Sequence, residues 1–424
     1  MFVSHFTITI SLVNNFIDPL MFALYTKLAM IISSGFSQLK EHVQAVNEAI
    51  GQAVIGLKNV PVSLAIIFTS TEFAHPLVLK AANNLLGGIP ILGCSSQMIL
   101  TDQGVFKYGF AVLLISLTQQ TFFNINAVKN IKPDTSLSSG EELANKLLYG
   151  FKNVRRSLSI IFSDSLITGG TNLINGLQEN LGRSFPLIGA SPSDDFANQK
   201  TFQYVNNELL SESCSGIIFG GKFNFGFGIK HGWLALGKIR TVTTSEGNLI
   251  KEIDGLPAVK LYEEYLAKDT MELAKELRRI STSYPIGIYL QGEKEYLLRN
   301  IISIKDDGSL ITQGNVPQNS RIRLMISTED SRLKAAITAS EEAKRNFGME
   351  KIKFVMIFDS AARLTLLGRQ KSIEIGVIKE VFGKDTPLIG ICTNGEQAPL
   401  KSINYLGQTY LHNQSINILA IGDQ

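Results

Sequence analysis

The sequence predicts an α/β protein of mixed α+β character, built from duplicated strand–helix–strand–hairpin units that form two similar halves with mixed sheets. The first observation behind this is a phrase that occurs three times: Pro90-Ile91-Leu92-Gly93-Cys94-Ser95, Pro186-Leu187-Ile188-Gly189-Ala190-Ser191 and Pro387-Leu388-Ile389-Gly390-Ile391-Cys392. The second is a hydrophobic strand upstream of each copy, ending in Phe68, Phe162 and Phe358. The gaps from Phe to Pro (68→90, 162→186, 358→387) are 22, 24 and 29 residues, room for one helix and two turns. Repetition at a long, loose period marks a duplicated supersecondary unit rather than a solenoid. Loops placed alike on such units are expected to converge on one site.

A chain of 424 residues is long enough for two or more domains with their own cores. Lys+Arg 40 against Asp+Glu 37 leaves +3 with no basic stripe, so nucleic acid is not an expected partner. Cys94, Cys214 and Cys392 are too far apart in sequence for a zinc knuckle or a CxxC pair, and so few cysteines fit a reducing, cytoplasmic compartment. Residues 1–32 are apolar but interrupted by Asn14, Asn15, Asp18 and Pro19. They have neither the positive start of a signal peptide nor about 20 uninterrupted apolar residues for a span. Three readings stand for them: an over-long start with Met21 or Met30 as initiator, a membrane anchor, or a genuine strand or helix.

Along the chain, Val43, Val46, Ile50 and Val54 predict a helix over 40–57, followed by a strand at 63–69 and a helix at 76–86 that stops at Gly87-Gly88. An apolar strand follows at 106–116, then polar connection over 117–137 and a helix capped by Ser138 or Ser139 through Tyr149. The second unit repeats the plan with a strand at 157–163, a helix ending at Gly182 and the loop 189–196. The glycines of 222–229 indicate bulges or close backbone approach. Residues 231–257 read as the connection between halves, which sets domains at 33–246 and 247–424. Pro257 opens an expected helix over 258–280, and Tyr284-Pro285-Ile286-Gly287-Ile288 looks like a worn fourth copy of the phrase. Strands are expected near 297–304, 309–313 and 321–326, with Asp306-Asp307-Gly308 as a hairpin turn. The last unit is a strand at 353–358, a helix at 371–382, the loop 390–398 and strands to 422.

No Walker A, Gly-x-Ser-x-Gly, His-Glu-x-x-His or Gly-x-Gly-x-x-Gly pattern occurs, and the five histidines are scattered. The polar chemistry lies in the repeated loops. Two of them end in carboxylates at the same step, Asp194-Asp195 and Gly395-Glu396, beside Ser191, Ser193, Thr393 and Asn394. A carboxylate with nearby backbone N–H groups suits the ammonium and carboxylate of an amino-acid-like ligand. The same acids could equally cap the next segment or pair with a buried Arg. Arg363, between small residues, suits capture of a carboxylate, whether a ligand's or that of Glu396. Cys94 and Cys392 hold comparable loop positions, facing a cavity or filling the core as small apolar residues. For His412 and His231 the readings are a hydrogen-bonded structural role or an axial haem ligand.

At these residues the chain resembles the FIST proteins. The resemblance runs through Gly35-Phe36-Ser37, Gly93-Cys94-Ser95 and Gly189-Ala190-Ser191-Pro192-Ser193-Asp194-Asp195. It continues in Asp254-Gly255-Leu256-Pro257, Tyr262-Glu263-Glu264-Tyr265-Leu266, Phe358-Asp359-Ser360-Ala361-Ala362-Arg363, Thr393-Asn394-Gly395-Glu396-Gln397 and His412-Asn413-Gln414-Ser415, covering about 33–424. The resemblance implies a cytoplasmic sensory module with a FIST N-terminal and a FIST C-terminal part. Such modules bind a small ligand and work beside a histidine kinase, a cyclic-dinucleotide enzyme or a chemotaxis receptor in bacteria. Amino acids are the suggested ligands, and some members resemble haem-based nitric-oxide sensors. Two departures stand out: Met98-Ile99 where the family's first loop commonly has Gly-Glu, and Ser360 where members often have Cys. The leading expectation is a non-catalytic sensor with Cys94, Ser95, Ser191, Asp194, Asp195, Arg363, Thr393, Asn394 and Glu396 as ligand-binding residues. The alternatives are a haem-based sensor and an unrecognised hydrolase or transferase using the loop carboxylates.

Overall fold

The computed structural model describes residues 29–58, 60–165, 169–194, 200–293, 295–400 and 407–423. Of the apolar N-terminal segment, only 29–32 fall among them, and the readings of residues 1–28 lie outside the described residues.

The repeated phrase marks three units with one plan. The first is β1 (Ile31–Ser37), α1 (His42–Gly56), β2 (Leu64–Ser70), α2 (Pro76–Leu86), β3 (Ile91–Ser96), the hairpin β4 (Ile99–Thr101) and β5 (Gly104–Phe106), and β6 (Phe110–Ser116). The second is β7 (Thr121–Val128), α3 (Ser136–Leu148), β8 (Arg156–Ser163), α4 (Gly170–Leu181), β9 (Leu187–Pro192), the hairpin β10 (Gln203–Val205) and β11 (Glu208–Leu210), and β12 (Cys214–Gly221). The third opens with β13 (Asn224–Lys230) and is interrupted by an insert. The insert holds β14 (Leu234–Glu246), β15 (Leu249–Ile253), β16 (Leu256–Pro257), α5 (Lys260–Leu266), α6 (Thr270–Lys275), α7 (Leu277–Ser283), β17 (Ile286–Ile288), β18 (Leu297–Arg299), β19 (Ile301–Ile304), β20 (Leu310–Thr312) and β21 (Arg321–Ile326). The third unit resumes with α8 (Glu329–Phe347), β22 (Phe354–Ser360), α9 (Ala361–Leu367), α10 (Lys371–Phe382), β23 (Leu388–Pro399), β24 (Thr409–His412) and β25 (Ile416–Gly422).

Each unit orders its strands alike: β1-β6-β2-β3, β7-β12-β8-β9 and β13-β25-β22-β23. In each, the Phe strand and the phrase strand run parallel and the other neighbours antiparallel. The sheets are therefore mixed, as the sequence predicts. Period-two alternation decides which side faces where. Leu64, Ile66 and Phe68, Leu158, Ile160 and Phe162, and Phe354, Met356 and Phe358 all point into one common core. Ala65 and Ile67, Ile161, and Val355 and Ile357 face the outer helices of their own units. The three phenylalanines meet edge-on, Phe68 to Phe162 at 5.6 Å and Phe162 to Phe358 at 5.9 Å between ring centroids.

The phrase glycines have a packing reason. A methyl group on Gly93, Gly189 or Gly390 would lie 1.8, 2.3 or 2.1 Å from the carbonyl oxygen of Ile67, Ile161 or Ile357 on the parallel neighbour. After each phrase the chain leaves its own sheet and caps another. β10 pairs with β3, β4 with β23, and the far half of β23 with β9. Each phrase glycine sits opposite such a visiting residue: Gly93 opposite Tyr204, Gly390 opposite Leu100, Gly189 opposite Gln397. The exchange is cyclic and leaves none of the three phrase strands as a free edge.

Several expectations need correction. The polar segment 117–137 contains β7, and the expected connection 231–257 contains β14 and β15. The helix expected over 258–280 is broken into α5, α6 and α7, because Ala267 takes a left-handed φ of 50° and Asp269 caps a fresh helix at Glu272. Ile286–Ile288 is no fourth copy. Its strand pairs antiparallel on both sides and belongs to the insert's own sheet and core. Helix α8 has no counterpart in the sequence-based expectation, although Ala335, Ala336, Ala339, Ala343 and Phe347 give it a buried stripe. The glycines of β13 serve this helix: a methyl on Gly226 or Gly228 would sit 2.2 or 2.1 Å from the carbonyls of Ala343 or Ala339.

Candidate functional site

The loop ends of the three units meet. Gln97 N–H donates to the Ser193 carbonyl (3.0 Å), Ser193 N–H to the Cys392 carbonyl (3.1 Å), and Cys392 N–H to the Met98 carbonyl (2.9 Å). The Ser96 hydroxyl also donates to the Cys392 carbonyl, at 2.6 Å. The units thus converge, but the convergence is a closed backbone ring that the first unit's loop plugs. The open space lies to one side of it, where the second and third units face the insert.

That space is a cleft of about 1060 Å³. The second unit contributes Asp164, Ser165 and Ser191 from the ends of β8 and β9, and the first turn of α4. The third contributes Ser360, Ala361, Thr365, Thr393 and Asn394. The insert closes the other wall with Lys275 and Arg278, the hydroxyls of Ser281 and Thr282, and Asn300 and Gln313. Hydrogen bonds tie the walls together. Gln313 Nε2 donates to the Asn394 carbonyl (2.6 Å), Asn394 Nδ2 to Ser165 Oγ (3.3 Å), and Asn315 N–H to Thr171 Oγ1 (3.3 Å).

Of the residues expected from the sequence, Ser191, Thr393 and Asn394 lie in the cleft wall. Glu396 does not reach it. Its carboxylate is sealed behind Thr393, accepting from that hydroxyl, from Ser415 N–H (3.1 Å) and from Ser415 Oγ (2.6 Å). Burial pushes Glu396 up from its ordinary 4.5 to about 7, against the pull of those hydrogen bonds. Cys94 and Ser95 are corrected as well. Cys94 is buried in the common core, and Ser95 Oγ accepts from Phe202 N–H at 3.1 Å inside the first sheet. Cys392 packs in the third unit's outer core, and burial pushes both thiols upward. Asp194 is buried outside the cleft lining, and Asp195 lies outside the described residues.

Arg363 is internal. Its guanidinium is fully buried, 2.8 Å from Asp359 Oδ1 and paired with Glu374, and it donates to the carbonyls of His231 (2.7 Å) and Arg332 (3.1 Å). It fastens α9 to both chain segments that join the insert to the third unit. The reading of Arg363 as a ligand contact, or as the partner of Glu396, gives way to this ion cluster.

Neither candidate histidine fits a haem. Burial holds His412 down at about 3, so its ring is neutral, and Nε2 lies 2.9 Å from the Ala398 carbonyl. His231 Nδ1 accepts from Trp233 N–H at 2.8 Å while Nε2 lies 3.1 Å from Glu295 Oε2. Both rings are enclosed, and neither lines the cleft. Among the described residues no group of three or more His, Cys, Asp or Glu side chains is arranged to hold a metal ion. No described helix is long and apolar enough to cross a membrane.

Sequence reasoning missed Asp164, Thr171, Lys275 and Arg278. A signal existed for Asp164: it stands two residues past Phe162, the step that Ser70 and Ser360 occupy after Phe68 and Phe358. Nothing comparable pointed to the insert's cations.

The FIST N domain matches residues 63–256, and the FIST C domain matches residues 258–399. The chain belongs to the FIST family. FIST domains are a sensory family of signal transduction. An uncharacterized protein of Methanocaldococcus jannaschii is 22% identical over 308 residues, which are 68% of this FIST protein and 59% of that relative. The FIST chain thus spans less than two thirds of that relative's length. Among solved structures, a cyanuric acid hydrolase from A. caulinodans aligns with a TM-score of 0.39 and 7% identity, over 93% of this chain and 99% of that one. A second cyanuric acid hydrolase structure, described as an innovation by structural concatenation, aligns with a TM-score of 0.34 and 8% identity, over 94% and 100%.

Proposed function

We propose that this FIST protein is a non-catalytic, cytoplasmic receptor for a small polar ligand of amino-acid-like chemistry, held in the cleft between the insert and the second and third units. The observation that carries the reading is the cleft's construction. Hydroxyls and amides from three separate parts of the chain face one space, with the Asp164 carboxylate, which accepts from Glu212 N–H at 2.9 Å, in the second unit's wall and Lys275 and Arg278 in the insert's. Its volume, about 1060 Å³, lies at the upper end of small-molecule sites. Occupancy is read by a separately encoded signalling partner, of the histidine-kinase or cyclic-dinucleotide-enzyme kind. A ligand that bridges α9, α4 and the insert shifts the balance between arrangements of the insert only by its differential affinity for them.

A thermal-shift panel of amino acids on the purified protein is the test. At a hundredfold excess over Kd, a true ligand stabilises by about 2.7 kcal/mol. The shift is expected to disappear in Asp164→Asn and in Thr171→Val, with unliganded melting retained in at least one of them. A panel with no shift, or shifts that both variants keep, would overturn the reading. Steady turnover of a panel compound, abolished by Thr393→Val, would make the protein an enzyme instead.

A further inference from the structure

One cation beside the cleft is used by nothing described so far. Arg299, at the end of β18, is only 3% exposed. A buried guanidinium ordinarily pairs with a carboxylate, because desolvating its charge is otherwise costly. Here every hydrogen bond goes to a backbone carbonyl: Nε to Asn315 (3.0 Å), Nη1 to Leu298 (2.8 Å) and to Leu411 (2.9 Å). No ion pair forms at Arg299 among the described residues. Burial lowers it from its ordinary 12.5 to about 10, which leaves it charged at neutral pH.

Its third nitrogen, Nη2, makes no hydrogen bond to the described residues, yet it is not among the polar atoms sealed without a partner. Gly314, Asn315 and Leu411 lie against the guanidinium, and all three line the cleft. Gly314 is the thin place in this wall. A methyl group there would stand 3.0 Å from Arg299 Nε and 3.1 Å from Cζ, so the guanidinium lies directly behind a cleft-lining residue, in the layer behind a wall that Arg299 itself does not line.

The same end of the cleft holds the start of α4. Its N-cap is Gly169, which offers no side-chain acceptor to the first N–H groups, and Gly170, Thr171 and Asn172 line the cleft. Asn315 joins the two features: its carbonyl accepts from Arg299 and its N–H donates to Thr171 Oγ1. Gly170 and Gly314 also flank one methyl of Leu411, at 3.3 and 3.4 Å from where their own methyl groups would be. A cation with no carboxylate partner among the described residues and a helix start with glycine as its N-cap therefore share one corner, beside the insert's Lys275 and Arg278.

We propose that this corner is an oxyanion pocket, in which the Arg299 guanidinium behind Gly314 and the first turn of α4 take a carboxylate or phosphate of the ligand. The assignment rests on the receptor reading above and adds the anionic end of the ligand to it. Arg299 supplies a charge already desolvated when the ligand is absent, so binding need not strip water from it again. Lys275 and Arg278, both exposed, raise the local concentration of anions rather than fix their geometry.

The test uses acetate and inorganic phosphate as probes on the intact protein, with methylammonium as the cationic control. Binding is read by isothermal titration and by NMR line broadening at low ionic strength. At least one anion is expected to bind and methylammonium not to compete with it; which anion binds more tightly separates a carboxylate site from a phosphate site. Gly314→Ala is expected to weaken that anion about tenfold, and Arg299→Gln by at least as much. The Lys275→Ala/Arg278→Ala double variant is expected to lose severalfold and to show a shallower salt dependence. Should Arg299→Gln not fold, or Gly314→Ala not fold because its φ of 105° strains any side chain, the Lys275→Ala/Arg278→Ala double variant still decides. Anion binding that Gly314→Ala leaves untouched would overturn the proposal, as would neither anion binding. If an amino acid shifts the melting temperature while both anions fail to bind, the receptor reading stands and the pocket does not.

Discussion

Glu396 illustrates how a residue can be found from sequence and still be given the wrong task. Its step in the loop marked it as polar chemistry, but the strand that carries it crosses to β9 and turns the side chain inward, onto Ser415. Burial makes it a titrating group instead of a ligand contact. Its folded value of about 7 lies above the ordinary 4.5, so the native state holds the proton more tightly than the unfolded chain does. The associated stability is fully present below about pH 4.5 and is lost as pH rises through 7. A displacement of this size corresponds to roughly 3 kcal/mol. Glu396→Gln, which cannot titrate, is expected to flatten the fall in denaturant-derived stability between those pH values. Parallel pH profiles for the variant and the wild type would refute this assignment. Arg363 shows the opposite limit: a lone Arg among small residues has no sequence signature that separates a ligand clamp from an ion cluster. The partners that decide it, Asp359 and Glu374, are four and eleven residues away and reach it only through the fold.

At the scale of elements, legibility followed repetition. The three Phe strands, the phrase strands and the helices between them could be read because each copy confirms the others, and period-two alternation fixes their faces. β7 was not legible, since its exposed and half-buried edge alternates too weakly to stand out from polar connection. The insert was not legible either, because its short strands carry hydrophobic residues for a separate core. The phrase glycine is where sequence and packing coincide most closely, and it can be tested against a glycine of the same unit. Gly390→Ala would place a methyl 2.1 Å from the Ile357 carbonyl, while at Gly376 in α10 a methyl meets nothing within 4 Å. Gly390→Ala is expected to cost about 1–3 kcal/mol. Gly376→Ala is expected to gain up to about 1 kcal/mol from helix propensity alone. Chemical denaturation of the two variants measures both, and equal effects would mean that the close approach to Ile357 does not constrain the strand.

For the whole molecule, the cyclic exchange of strands carries a thermodynamic consequence. No unit can complete its own sheet: β3 needs β10 of the second unit, β9 needs the end of β23, and β23 needs β4 of the first. All three also bury their inner faces in one core, with Phe162 touching Phe68 on one side and Phe358 on the other. The insert has its own core but is bolted down at two points, at its start through Arg363 to the His231 carbonyl and at its middle through Arg299 to the Leu411 carbonyl. Unfolding is therefore expected to be a single transition despite the length of the chain, which would ordinarily favour several. The single tryptophan gives a direct probe, because Trp233 lies buried where the insert joins the third unit while far-UV circular dichroism reports on every unit. Melting followed by the two signals should coincide. Phe162→Ala, at the middle of the aromatic row, should lower both together by about 3–5 kcal/mol. A tryptophan transition that precedes the dichroism transition would show the insert opening by itself. The arms through Arg363 and Arg299 would then be a hinge that a ligand in the cleft could close, instead of the rigid joints their hydrogen bonds describe.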